Sequence, residues 1–348
     1  MTARVLIVDD STVARRLLTE VLAGDPTIEV VGTASDADSA LAKIAQLTPD
    51  VVTLDVDLPG RNGLDLLVDI RKASPRLPVI MVSASTQQAA TTTLDALARG
   101  ASDYVTKPSG LPRDQALAHI RDQLVPRVRA LTGSAGPRTV ARRGTPSPRV
   151  ELLAIGASTG GPNALDQLFR GLPADLAVPV VVVQHMPPTF TRLLSERLDS
   201  RGPLRFAEAV DGEPLRPGRV LLAPGDHHLR VVRRRDGLAV ALDRGPPEHS
   251  CRPAVDVMLR SIAEAGLAAL AVILTGMGQD GLLGCQAIHD RGGQVLAQDE
   301  ATSVVWGMPG FVARAGLAAR VLPLVDLAPE ILSRVGTAPP LVRGCHGA

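Results

Sequence analysis

Two groups of residues in this chain have the types and placing that chemistry requires. The first centres on Ser158, in Gly156-Ala-Ser158-Thr-Gly160, between the apolar run "ELLAIGA" and a helix that Pro162 can start. A serine at a glycine-flanked strand-to-helix turn is the arrangement of an exposed nucleophile, although such turns favour small residues whatever they do. A serine hydroxyl is a poor nucleophile until a base takes its proton, and that base needs a carboxylate to hold its tautomer. His185 closes the run "VPVVVVQH" ahead of two prolines, and Asp280 stands in the glycine-rich loop after "LAVILTGM". Backbone N–H groups around Gly276, Met277 and Gly278 offer an oxyanion site, as does the amide of Thr159. Other readings stand beside this one. His227, His228, His249 and His289 compete with His185 as the base, in hairpin, loop or helical contexts, and Asp280 equally suits a cap for "GLLGCQAI". A dinucleotide fingerprint would want glycine where Ser158 stands, and a phosphate loop would end in Gly-Lys-Ser/Thr; neither is present.

The second group is acidic. Asp9 and Asp10 follow "VLIV", Asp55 follows "VVTL", Ser83 ends "LPVIMVS", and Lys107 follows "SDYVT". Carboxylates at neighbouring strand ends share a pocket and need a cation, and hard oxygen donors there suit Mg²⁺, which keeps waters and accepts a phosphoryl oxygen. Lys107 adds an ammonium and Ser83 a hydroxyl on the same edge.

Both groups depend on parallel sheets whose carboxyl edges collect residues distant in sequence. From Arg4 to about Pro126, short β-branched runs alternate with amphipathic ones, the pattern of a βα-repeating sheet. Residues 127–149, rich in Gly, Pro, Ser and Arg, read as a linker. Beyond it, "ELLAIGAS", "VPVVVVQH" and "LAVILTGM" are near-continuous apolar runs, as in parallel strands buried on both faces. Between the second and third, "RVLLAPGDHHLRVVRRRDGLAVAL" reads as a small antiparallel hairpin turning at Asp236-Gly237. The expectation is an α/β chain of two doubly wound parallel-sheet domains, flavodoxin-like over 1–126 and Rossmann-like with a β-hairpin over 150–340, with a tail at 341–348.

Composition narrows the function classes. A chain of 348 residues has room for two cores, and its formal charge of +1 gives no global field for nucleic acid or membrane. Aromatic residues make up 2%, too few for base-stacking platforms. Three scattered cysteines fit neither a disulfide framework nor a zinc knuckle and suggest a reducing cytoplasm. No run reaches the length of a membrane span, so no direct membrane insertion is expected.

The segments "VDDS", "TLDVDLPGRNGLDLL", "MVSAS" and "YVTKP" resemble the receiver domain of two-component response regulators, with "PGRNG" departing from the common "PRMDG". The resemblance implies phosphorylation of Asp55 by a histidine kinase, with Mg²⁺ held among Asp9, Asp10, Asp55 and Asp57, the last through its backbone carbonyl. It implies that Lys107 bridges the phosphoryl group and that Ser83 and Tyr104 relay the change. The segments "GASTGG", "QHMP", "HSCRPAVDVMLRS", "LTGMGQDG" and "QDEATSVVWGMPG" resemble the catalytic domain of the CheB family of protein-glutamate methylesterases/protein-glutamine glutaminases. That likeness implies hydrolysis of glutamyl methyl esters and deamidation of glutamines on chemoreceptors by Ser158, His185 and Asp280, with oxyanion donors at Thr159 and Met277 and no cofactor for hydrolysis. It also implies a receiver that restricts the site until phosphorylated. The competing class is a receiver-regulated binding protein without catalysis. A DNA-binding output lacks a basic helix-turn-helix pattern after the linker.

Overall fold

The structure is a computed structural model that describes residues 2–84, 86–108, 110–133 and 150–335. Its first part alternates β1 (Ala3–Val8), α1 (Thr12–Ala23), β2 (Ile28–Ala34), α2 (Ala37–Leu47), β3 (Val51–Asp55), α3 (Gly63–Ala73), β4 (Val79–Ser83), α4 (Gln87–Ala98), β5 (Asp103–Thr106) and α5 (Arg113–Thr132). Helix starts are set locally: Ser11, Asp36, Asn62 and Thr86 each accept a backbone N–H of the first turn that follows them. The five strands pair in parallel in the order β2-β1-β3-β4-β5. Strand order reverses at β1 and β3, where crossovers leave to opposite faces and a crevice opens at the carboxyl edge. Val8 pairs with Leu54, so Asp9 and Asp55 leave that edge side by side.

The second part comprises β6 (Leu152–Ala157), α6 (Gly161–Arg170), β7 (Val180–Gln184), α7 (Pro188–Arg201), β8 (Arg205–Glu208), β9 (Arg219–Leu222), β10 (His228–Arg234), β11 (Gly237–Asp243), α8 (Val255–Glu264), β12 (Ala269–Ile273), α9 (Leu282–Asp290), β13 (Gln294–Gln298), α10 (Met308–Arg314), β14 (Arg320–Leu322) and α11 (Leu324–Val335). Seven strands pair in parallel in the order β14-β13-β12-β6-β7-β9-β8. Every residue of β6, β7 and β12 is buried, which is why these segments are continuous in apolar residues rather than alternating. The order reverses around β6, flanked by β7 and β12, so the carboxyl ends of these three strands border one crevice.

Three features depart from the sequence expectations. Helix α5 continues through Pro126 to Thr132, beyond the expected boundary at 126, because Leu124, Val125 and Val128 keep an apolar stripe buried across the lost hydrogen bond. The remainder of the expected linker, and the tail at 341–348, lie outside the described residues. Strand β9 joins the parallel sheet instead of the hairpin, and Arg234 pairs with Gly237, which places the turn at Arg235-Asp236. Among the described residues no helix is long and apolar enough to cross a membrane.

Candidate active site

Ser158 follows the last residue of β6. Its N–H donates to the Thr275 carbonyl at 3.1 Å, and its own carbonyl accepts from Gly161 at 2.7 Å and from the Gln184 amide at 2.9 Å. Gly160 turns the chain into α6 at φ 78°, and a Cβ there would meet Val304 at 2.6 Å, so only glycine fits. From the β12 side, Gly276 packs so closely that a Cβ on it would lie 2.8 Å from the Ser158 Cβ and 2.4 Å from the Met308 sulfur.

His185 follows β7, with its N–H on the Ala157 carbonyl at 3.2 Å. Its Nε2 lies 2.7 Å from Asp280 Oδ2. Asp280 is 1% exposed, and its two oxygens also accept the N–H groups of Val255 and Asp256 at 2.7 and 2.9 Å. These are first-turn donors of α8, so Asp280 caps a helix remote in sequence, while Gly281 occupies the N-cap of the adjacent α9. Burial opposes the charge on Asp280, but His185 and the two backbone donors outweigh it and hold the carboxyl below its ordinary value.

The other ring nitrogen of His185 does not meet the serine. Nδ1 faces Cys251 Sγ at 3.4 Å, and among the described residues no hydrogen bond joins Ser158 to His185. Burial disfavours the imidazolium, yet the Cys251 sulfur and Asp280 outweigh it and push His185 up to about 10. Cys251 was not singled out from sequence. Its signal was its place in "HSCRPAVDVMLRS", just before the helix whose first turn holds Asp280. The competing histidines are engaged elsewhere: His228 with the Pro246 carbonyl, His249 with Asp256 at 2.9 Å, and His227 with the Gly225 carbonyl. His289 lies on α9.

At the other edge, Asp9, Asp10 and Asp55 bring ligand oxygens within 4.8 Å of one another, with Asp9 and Asp55 buried and Asp10 exposed. The Lys107 ammonium reaches Asp55 at 2.6 Å and Asp9 at 2.9 Å. Burial pushes Asp55 up to about 6, against the pull of Lys107. Three hard carboxylates at this separation suit a small divalent cation such as Mg²⁺. The Asp57 side chain is exposed and outside this trio, though its N–H donates to Asp55 at 3.4 Å. Ser83 is fully buried and accepts from the Thr93 hydroxyl of α4 at 2.8 Å.

The two parts meet through α4 and β5 on one side and the Ser158 turn, α6 and α7 on the other. The Thr159 hydroxyl donates to Asp103 at 2.6 Å, a carboxylate that also holds Arg127 at 2.9 Å. Tyr104 stacks on Phe190 with centroids 4.4 Å apart, Asn163 donates to the Leu97 carbonyl at 2.6 Å, and Arg197 pairs with Asp95 at 2.7 Å. The residue after the serine is thus bonded directly to the first part of the chain.

A family model described as CheB methylesterase matches residues 153–331, and one described as response regulator receiver domain matches residues 5–120. A protein-glutamate methylesterase/protein-glutamine glutaminase of Nocardioides sp. is 49% identical, covering 97% of this chain and 96% of its own length. The chain belongs to the CheB methylesterase family. A relative of the same name from Trichodesmium erythraeum is 48% identical over 96% of this chain and 99% of its own. The crystal structure of the Thermotoga maritima CheB methylesterase catalytic domain is 43% identical, with a TM-score of 0.52, covering 53% of this chain and 98% of that one. The expected CheB fold class, two α/β units with parallel main sheets, is borne out, and the receiver implies regulation by phosphorylation.

Proposed function

We propose that this chain is a phosphorylation-regulated serine hydrolase that demethylates glutamyl methyl esters and deamidates glutamines on chemoreceptors, with Ser158, His185 and Asp280 as its catalytic residues. The observation that carries the assignment is the His185–Asp280 pair, anchored on the first turn of α8 and placed at the same sheet edge as Ser158. Ser158 Oγ attacks the side-chain carbonyl while His185 takes its proton. Asp280 stabilises the imidazolium and fixes the ring. The oxyanion is met by backbone N–H groups of Thr159 and Met277. His185 then protonates the leaving group, giving methanol from an ester or ammonia from an amide. Water, deprotonated by His185, releases the free carboxylate and restores the serine.

In the form described, His185 faces Cys251 and is pushed toward its charged state, which removes its capacity as a base. We read this as the restrained form, held by the contacts of Thr159, Tyr104 and Arg197. Asp55 is the phosphoacceptor, served by a chemosensory histidine kinase in the cytoplasm. Asp9, Asp10 and Asp55, with the Asp57 carbonyl, would hold Mg²⁺, which supplies charge neutralisation for phosphoryl transfer. Lys107 moves onto the phosphoryl oxygens, and Ser83 and Tyr104 carry the change to the interface. Hydrolysis itself uses no cofactor.

The test is methanol and ammonia release from receptor membranes. Ser158→Ala should lower both by on the order of 10⁴-fold or more with the fold intact. Equal deamidation by the variant would overturn the assignment of the nucleophile.

A further inference from the structure

Beside the oxyanion loop lies a cation, Arg314, that has no carboxylate partner among the described residues. Arg314, at the exposed end of α10, places its guanidinium 4.8 Å from the centre of the Phe311 ring and 5.5 Å from that of Trp306. Among the described residues no carboxylate lies within ion-pair distance of it. A guanidinium held over two rings loses little freedom when it binds, and its edge stays available to a carboxylate.

This platform is tied to the catalytic loop. Trp306 is pinned by its indole N–H on the Gln298 carbonyl at 2.8 Å and forms a parallel bridge with Gly276. Gly307 and Met308 donate to the Gly276 carbonyl at 3.0 and 2.8 Å. Val304, two residues before Trp306, rests on Gly160 and is 42% exposed, and Phe311 is 39% exposed. The hydrogen bonds, ion pair and ring stack to the receiver described above reach Thr159, α6 and α7, and none of them uses Val304, Trp306, Phe311 or Arg314. Val304, Trp306 and Phe311 therefore make an apolar strip running from the nucleophile turn to a fixed positive charge.

We infer that this rim docks the substrate segment of the receptor, an amphipathic helix whose apolar side lies on Val304 and Phe311 and whose free glutamate, beside the ester under attack, pairs with Arg314. The inference rests on the proposed methylesterase activity and adds a determinant of specificity to it. The occupant follows from charge complementarity: the reaction itself makes glutamates, and a neighbouring site binds Arg314 as a free acid but not as an ester or amide. Demethylation at one site therefore favours demethylation at the next.

The experiment measures methanol release against receptor concentration for the full chain and for Arg314→Gln and Arg314→Lys, using receptors that carry Glu or Gln beside the target ester. With neighbouring Glu, Arg314→Gln should raise KM about two- to fivefold at low salt with kcat kept, the range of an exposed ion pair. Lys should restore part of the loss, high salt should close the gap, and the Gln receptor should make the enzymes equal. An unchanged KM, or a fall in kcat alone, overturns the docking role while leaving the esterase intact. No methanol from the unaltered chain on either receptor overturns the underlying activity, and the inference with it.

Discussion

Each nitrogen of the His185 ring has a partner in this structure, and neither partner is the serine. Because Cys251 and Asp280 together raise the imidazole, kcat/KM should climb with pH through an inflection above the ordinary histidine value of 6.5, since only the neutral ring can accept the Ser158 proton. Cys251→Ser should move that inflection down, and a pH–rate profile of both forms checks it. Stability follows the same linkage. A folded pKa raised above the unfolded one contributes fully below about 6.5 and loses its contribution as pH rises toward about 10. Urea midpoints should decline across that window, less so for Cys251→Ser. Gly276 gives a second residue-scale test. An alanine there meets Met308 and Ser158 at 2.4 and 2.8 Å, so Gly276→Ala should displace the nucleophile and lower esterase activity about 10- to 100-fold, the cost of a misplaced reacting group.

At the scale of elements, α4 is a shared part. Its Ser83-facing side carries Thr93, and its other contacts reach α6 and α7 through Leu97, Asp95 and their partners Asn163 and Arg197. Removing Arg197 by alanine should loosen the pair of units and raise the unphosphorylated esterase rate about two- to fivefold, within the worth of one partly exposed ion pair. A rate equal to or below that of the unaltered chain would show that this pair does not hold the units together. The strands that carry the chemistry were legible in the sequence, because β3, β4, β6, β7 and β12 are buried on both faces and so are mostly apolar, with Thr53, Asp55, Ser83 and Gln184 as their polar members. Period and composition missed what depends on distant partners. Helix α5 passes through Pro126 because of what it packs on, and β9 reads locally as hairpin but pairs with β7 and β8. The links Cys251–His185 and Asp103–Thr159 join residues 66 and 56 apart in the chain, a separation that no local pattern encodes.

At the scale of the whole molecule, one carboxylate chemistry is coupled to another through a shared interface. Asp103 neighbours Tyr104 at the start of β5, accepts from Thr159 beside the nucleophile, and pairs in register with Ile80 of β4, the strand that ends in Ser83. Phosphodonor and Mg²⁺ should therefore raise methanol release in the unaltered chain, while Asp55→Asn should leave it at its resting rate. Equal stimulation of both would show that the receiver does not gate the site.

The stack of Tyr104 on Phe190 also makes the molecule self-reporting. The chain has one tyrosine and one tryptophan. The tyrosine lies between the two units, and the tryptophan lies under the Arg314 guanidinium at the rim of the catalytic loop. Near-ultraviolet signals from the two chromophores thus come from separate places: separation of the units alters the tyrosine band, and occupation of the rim alters the indole emission. Opening and substrate capture can be timed independently in one unlabelled sample, and their order read directly.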